Sequence, residues 1–61
     1  MKNGDPVLID NETRGIIVGL TNFDNKYYYA VEIFENNISK GVKFVDKKRI
    51  SIDLLKKFKL L

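Results

Sequence analysis

Residues 14–34 constrain the fold of this chain most. They contain two segments of alternating character, 14–21 and 27–34, which are rich in the β-branched and aromatic residues that favour pleated strands. Residues 22–26 between them are mostly polar and include Asp and Asn, which are common turn formers. We therefore predict a β-hairpin, with the rest of the chain completing a sheet over one of its faces.

The alternation also predicts which side chains form the core. Side chains two positions apart lie on the same face of a strand. We expect six of them to pack together in the interior: Ile16, Val18 and Leu20 from the first strand, and Tyr29, Val31 and Ile33 from the second. Gly15 and Gly19 share the opposite face of the first strand, which predicts a bulge, a bend or a close approach of two backbones.

Further strands are predicted on both sides of the hairpin. Residues 7–9 form a short strand after Pro6, which suits the start of an edge strand because it has no N–H to donate. Asn36 and Asn37 mark the next turn. Residues 38–45 then resume the alternation, with Val42 and Phe44 inward, Lys43 outward, and a bend at Gly41.

The C-terminal part allows two interpretations. In the first, residues 46–49 are a charged turn, Asp53 caps a single helical turn over 53–55, and residues 56–61 form the closing strand. In the second, the spacing of Leu54, Leu55, Phe58 and Leu61 indicates a C-terminal helix that begins at Asp53. The sequence leaves both open.

Together these elements predict one all-β domain over residues 1–61, a half-open, five-stranded small barrel with one short helical turn before the last strand. At this point the chain resembles the SH3-like small barrels. The segments that carry the likeness are GDPVLI (4–9), RGIIVG (14–19), YAV (29–31), VKFV (42–45) and IDLLKKF (52–58). The G-D-x-V entry followed by G-x-I/V also looks like the KOW-type modules. The short Lys-, Asn- and Ile-rich chain is similar to uncharacterised barrel proteins of phages and prophages of Gram-positive bacteria.

Composition argues against most enzyme chemistry. The chain has no His and no Cys, so the usual nucleophile–base pairs and nitrogen–sulfur zinc sites cannot form. Two carboxylate pairs, Asp10 with Glu12 and Glu32 with Glu35, are interpreted as solvated charges at turns and strand ends. A barrel of this size fills its interior with side chains. We therefore expect a binding module without catalysis, metal or cofactor.

The sequence also suggests where the protein works. Its uncharged runs are far shorter than the roughly 20 residues of a membrane span, and its first residues show no signal peptide. These features predict a cytoplasmic protein without a membrane partner. An alternative is that residues 54–61 act as a membrane-surface amphipath. A closing strand or helix of the core explains the same residues more simply.

A basic cluster is the first candidate for function. Residues 1–35 carry three bases and six acids, whereas residues 36–61 carry eight bases and two acids. We predict nucleic-acid binding through a basic face with one stacking ring. Its residues are Lys40, Lys43, Lys47, Lys48, Arg49 and Tyr28; Lys56, Lys57 and Lys59 follow along the chain. The alternative is a lysine face that only keeps the protein soluble.

An aromatic set is the second candidate. Phe23, Tyr28 and Phe34 are predicted to bind a protein partner, which would be a host protein if the likeness to phage proteins holds. The alternative is that bending of the strands covers both faces of the hairpin. We expect the protein to be a monomer or a weak homodimer, the latter pairing through a strand edge such as residues 7–9.

Overall fold

The described part of the chain folds as one antiparallel sheet of five strands. A computed structural model describes residues 1–53 of the chain. The elements in chain order are β1 (Pro6–Ile9), β2 (Thr13–Phe23), β3 (Lys26–Glu35), β4 (Ile38–Asp46), a 3-10 helix (Lys47–Arg49) and β5 (Ile50–Ile52). The strand order is β4-β3-β2-β1-β5. The all-β prediction is confirmed, but the sheet formed by residues 1–53 is open, with β4 and β5 as its two edges.

Pairs of Asp and Asn residues form the hairpin turns. Asp24 and Asn25 join β2 to β3 with φ of 54° and 63°, and Asn36 and Asn37 join β3 to β4 with φ of 54° and 66°. Two consecutive residues of positive φ reverse a chain with the twist that neighbouring strands require, and Asn and Asp tolerate this conformation. The turn predicted over residues 22–26 is therefore only two residues long, and Phe23 lies at the end of β2 rather than in a turn.

One face of the sheet carries the core, and we call it the inner face. Its buried apolar residues are Val7, Ile9, Ile17, Val31, Ile33, Val45 and Ile50. Tyr29 and Ile52 pack against this cluster and are partly buried. The prediction that Tyr29, Val31 and Ile33 point inward along β3 is confirmed.

The predicted core face of β2 is wrong. Ile17 is fully buried and pairs with Val31, whereas Val18 and Leu20 are exposed, and Ile16 pairs with Glu32 on the other, outer face. The reason is a β-bulge between Ile17 and Gly19, which places one extra residue in β2. A bulge reverses the alternation, so no single set of alternate positions faces the core along the whole strand. A bulge was one of the outcomes that the two glycines predicted.

The predicted orientation of β4 is also wrong. Val45 is buried and pairs with Tyr29, so Val42 and Phe44 lie on the outer face and are exposed. Lys43 pairs with Val31 and therefore lies on the inner side, although its side chain stays exposed. The register shifts along this strand near Gly41, which has a φ of 97°. The irregularity determines which face each of the following side chains lies on, and it coincides with the bend that was predicted at Gly41.

The N-terminal strand is not an edge. β1 pairs with β2 on one side and with β5 on the other, which contradicts the predicted edge strand and the homodimer proposed through it. Pro6 is the first residue of β1, as expected, and its carbonyl accepts a hydrogen bond of 3.0 Å from the Asp53 N–H. The sequence interpretation missed β5, and β5 covers this edge.

A helical turn lies directly before β5. It occupies Lys47–Arg49, the segment interpreted as a charged turn, and its cap is Asp46, whose carboxylate accepts a hydrogen bond of 2.9 Å from the Lys48 N–H. β5 follows it directly. Asp53 belongs to neither a helix nor a strand. Beyond Asp53, the predicted helical turn over 53–55, the closing strand over 56–61 and the alternative C-terminal helix fall on residues outside the described part of the chain.

Candidate binding site

The residues predicted to bind nucleic acid do not form one surface. Tyr28 pairs with Asp46 and lies on the outer face, whereas Lys43 lies on the inner side of the sheet. Lys47 and Lys48 are in the 3-10 helix, and Lys40 is on β4 beside Gly41. The predicted single basic face is therefore split between the two sides of the sheet.

Arg49 is engaged in an ion pair. Its Nη2 atom lies 2.6 Å from Oδ2 of Asp10, and its Nε atom lies 3.1 Å from Oδ1 of the same carboxylate. The hydrogen bond from Arg49 holds the pKa of Asp10 below its ordinary value of 3.8, and the same bond raises the pKa of Arg49. The Asp10 N–H also donates to the Arg49 carbonyl at 2.8 Å. Arg49 thus holds the β1–β2 turn against the 3-10 helix, and its guanidinium is already engaged with a carboxylate.

An aromatic patch forms on the outer face. Thr21, Phe23, Tyr28 and Phe44 line a shallow hollow of about 360 Å³. Phe23 is 72% exposed and Phe44 is 68% exposed. We call these four residues the aromatic patch. Exposed aromatic rings grouped on one surface are unusual for a monomeric protein and are typical of an interaction site.

Strand pairing brings these residues together. Tyr28 of β3 lies between Thr21 of β2 and Asp46 of β4, and the next row across the sheet contains Gly19, Ala30 and Phe44. Gly19 and Ala30 are small, so the surface of the sheet is low beside the rings of Tyr28 and Phe44.

The charges around the patch are mixed. Asp46 pairs with Tyr28, and Lys26 pairs with Phe23. The patch is therefore an apolar surface with charges of both signs at its margin.

Phe34 lies apart from the patch. It is six residues from Tyr28 along the same strand, which is a separation of about 20 Å. It lines a wide groove of about 540 Å³ together with polar and charged residues, including Glu12, Arg14 and Glu35. The structure therefore brings together two of the three predicted protein-binding residues, Phe23 and Tyr28, and separates the third.

The sequence interpretation missed Phe44. It was assigned to the core because it alternates with Lys43, and a charged residue normally marks the exposed face. The pairing of Val45 with Tyr29 reverses that assignment. One feature of the sequence indicates that Phe44 faces outward. Val45 is apolar and lies on the same side of the strand as Lys43, which is the side opposite Phe44.

A second group of exposed side chains lies at the same end of the sheet. Lys26, Tyr27, Asp46, Lys47 and Lys48 line a groove of about 220 Å³, which we call the lysine groove. Lys47 and Lys48 were predicted to bind nucleic acid, whereas Lys26 and Tyr27 were not part of that prediction. Their common position follows from the packing of the 3-10 helix near β3, a contact that the linear sequence does not indicate.

Within residues 1–53, no group of three or more acidic side chains is arranged to hold a metal ion. The same part of the chain contains no helix that is long and apolar enough to cross a membrane. No family model matches the chain, and no curated protein or solved structure matches it significantly.

Proposed function

We propose that this protein is a non-enzymatic binding module that holds a protein partner on its aromatic patch. The observation that carries this proposal is the exposure of Phe23 and Phe44 around one hollow, with Tyr28 between them in the sheet. Aromatic residues are enriched at the centres of protein interfaces, where charged residues are depleted and form the rim instead. The aromatic patch with Lys26 and Asp46 at its margin has this arrangement.

A partner can bury the aromatic side chains that the fold leaves exposed. Burying one large apolar side chain is worth about 1.5–3 kcal/mol. Folding leaves most of this free energy unrealised at Phe23 and Phe44, because most of each ring is still in contact with water. A partner that covers both rings recovers it, so these two residues are the anchors of the proposed interface.

The partner is proposed to dock on the face of the sheet rather than on its edge. β4 is an edge strand, and it carries Lys40 and Lys43 and a register irregularity near Gly41. Edge lysines and bulges are devices that prevent a second strand from pairing. The same features argue against a homodimer through β4, so we propose a monomer in the absence of its partner.

We also propose that the open sheet is a half-open barrel of the SH3-like class. Two observations support this: the strand order β4-β3-β2-β1-β5, and the 3-10 helix between β4 and β5. Apolar residues of all five strands converge in one cluster on the inner face, as expected of a curled sheet. This interior is filled by side chains, which agrees with a function on the surface.

Nucleic-acid binding through the originally predicted residues has less support. Lys43 and Tyr28 lie on opposite faces, and Arg49 is paired with Asp10. The aromatic patch has no excess of positive charge at its margin. A nucleic-acid ligand is more consistent with the lysine groove, which is a separate site.

Affinity capture with two matched variants tests the proposed function. The tagged full chain is incubated with cell lysate, either untreated or treated with nuclease, and captured proteins are quantified by mass spectrometry. Phe44→Ala removes an exposed ring of the aromatic patch, and Ile38→Ala removes an exposed apolar side chain at the other end of β4. We expect a partner that Phe44→Ala loses at least tenfold and Ile38→Ala retains, since hot-spot truncations cost about 2 kcal/mol or more.

The purified partner is then titrated by calorimetry against both folded variants. Equal binding of the two variants contradicts the aromatic patch as the contact surface. Capture that disappears after nuclease treatment contradicts a protein partner. Circular dichroism shows that each variant is folded, so a loss of binding can be distinguished from a loss of structure.

A further inference from the structure

The lysine groove combines positive charge with an exposed ring. Three lysines, Lys26, Lys47 and Lys48, line it together with Tyr27, which is 53% exposed. Its single carboxylate is Asp46, which already accepts a hydrogen bond of 2.9 Å from the Lys48 N–H as the cap of the 3-10 helix. The groove therefore has a local excess of positive charge beside an aromatic surface.

The fold places these groups together from two parts of the chain. The turn at Asp24 and Asn25 brings Lys26 and Tyr27 to the start of β3. At the end of β4, Asp46 pairs with Tyr28, and the 3-10 helix begins at the next residue. The helix lysines are therefore held next to Tyr27 by strand pairing and by the cap.

We propose that the lysine groove binds single-stranded nucleic acid, with phosphates between the lysines and a base stacked on Tyr27. Proteins that bind single strands combine these two elements, a positive groove and exposed aromatic rings. The volume of about 220 Å³ is smaller than the roughly 300 Å³ of pockets that enclose a small molecule. The groove thus fits part of a strand that passes through it.

The lysine groove shares Lys26 and Asp46 with the margin of the aromatic patch, but its ring and its helix lysines are not part of the patch. Tyr27 and Tyr28 are consecutive residues of β3, so their side chains leave opposite faces of the strand. Tyr28 lines the aromatic patch, and Tyr27 lines the lysine groove. A protein partner and a single strand can therefore be tested separately, with variants that affect only one surface.

Fluorescence anisotropy with labelled oligonucleotides tests the proposal. The full chain is titrated into a single-stranded thymidine or uridine oligomer and into a duplex of the same length. We expect binding to the single strands and at least tenfold weaker binding to the duplex, because its bases are not available to stack on a ring. If three lysines each neutralise a phosphate, raising the salt from about 50 to about 200 mM weakens binding roughly 20-fold.

Two variants separate the ring from the charges. Tyr27→Ala should weaken binding about fivefold or more, since stacking on one base is worth about 1–3 kcal/mol. The double variant Lys47→Gln/Lys48→Gln should reduce the same salt effect to about threefold, since one phosphate contact remains. The double variant Lys40→Gln/Lys43→Gln removes two lysines outside the groove and is the charge-matched control. Phe44→Ala is the control on the aromatic patch, and both should bind as the unmodified protein does.

Three results would overturn the proposal: unchanged binding by Tyr27→Ala, equal binding of duplex and single strand, or affinity that does not depend on salt. A thymidine mononucleotide that competes as well as the oligomer would show that the ligand is a free nucleotide and not a strand. Loss of binding by Phe44→Ala would move the nucleic-acid site to the aromatic patch, and both assignments would then fail together. Loss of partner capture with intact oligonucleotide binding would contradict only the protein-binding proposal.

Discussion

The inner and outer faces of the sheet differ most clearly at two consecutive residues of β4. Val45 is 4% exposed and packs in the core. Its neighbour Phe44 has the larger apolar surface, yet it is 68% exposed on the outer face. Size and hydrophobicity alone would bury Phe44 first. The comparison shows that register decides which residue is buried, and that the outer face keeps large apolar side chains that the fold does not need.

The largest expected loss of stability comes from truncating a buried side chain on the inner face. Ile17→Ala should lower the free energy of unfolding by about 2–5 kcal/mol, because it removes a fully buried side chain and leaves a cavity. Val18→Ala, at the adjacent exposed position, should cost less than about 1 kcal/mol. Urea denaturation followed by circular dichroism measures both. Equal losses for the two variants would mean that β2 has no preferred face at the bulge.

Two glycines of β2 provide a second comparison of the faces. A Cβ atom added to Gly15 would collide with the Val31 side chain and lie 2.9 Å from the Glu32 carbonyl oxygen. At Gly19 the nearest atom would be the Ala30 Cβ at 3.7 Å, an ordinary contact. Gly15→Ala should therefore destabilise the protein by about 1–3 kcal/mol, the cost typical of overpacking.

Gly19→Ala is the control, and it should change the stability by less than about 0.5 kcal/mol, as most surface substitutions do. Thermal unfolding of the two variants measures the difference. A larger loss at Gly19 than at Gly15 would contradict the close approach of β2 and β3 near the core.

The turn between β2 and β3 determines the register of the two strands, and the register decides which side chains lie on the inner face. Asn25 has a φ of 63°, in the left-handed region. Asn25→Ala should cost about 1 kcal/mol, since other residues with a Cβ occupy that region at a cost of about 1–2 kcal/mol. Asn25→Gly should be neutral or slightly stabilising, because Gly is preferred at this position of such a turn. Denaturation midpoints of the two variants give the result; a more stable Ala variant would contradict this turn.

The smallest structural effect is expected at the Asp10–Arg49 pair, which is exposed. The folded-state pKa of Asp10 is lower than its unfolded value of 3.8, so the pair stabilises the fold above that pH. The stabilisation is lost as the pH falls below 3.8 toward the folded-state pKa. An NMR titration of the Asp10 carboxyl should show a lowered pKa that returns toward 3.8 in Arg49→Gln. An unchanged pKa in the variant would contradict the pairing.

The sequence predicted the elements better than their faces. Three turns with Asp and Asn, and the apolar alternation of β3, were enough to place four strands to within a few residues. β2 was different because Ile16, Ile17 and Val18 are consecutive and apolar, so both phases of alternation fit. Local sequence could not decide between them, since a shift of one residue exchanges every side chain between the faces.

The residues of the candidate sites could not be assigned from sequence for the same reason, because the face of each strand residue depends on the register. Phe44 could be assigned to the outer face only from its pairing with Ala30, which follows from the register beyond Gly41. Tyr27 could be placed beside Lys47 and Lys48 only from a contact between residues about twenty positions apart. Phe23 was found from sequence because it stands beside a turn that the sequence specifies, and Tyr28 because the alternation of β3 puts it on the face opposite Tyr29.

The free energy of unfolding of Phe44→Ala tests the central claim most directly, namely that the outer face is free of the core and available for binding. Urea denaturation of this variant and of the unmodified protein measures it without any knowledge of the partner. The structure predicts a change of less than about 0.5 kcal/mol, as for other exposed side chains. A loss of about 3–5 kcal/mol, the cost of removing a buried Phe ring, would place Phe44 in the core and contradict the proposed binding surface.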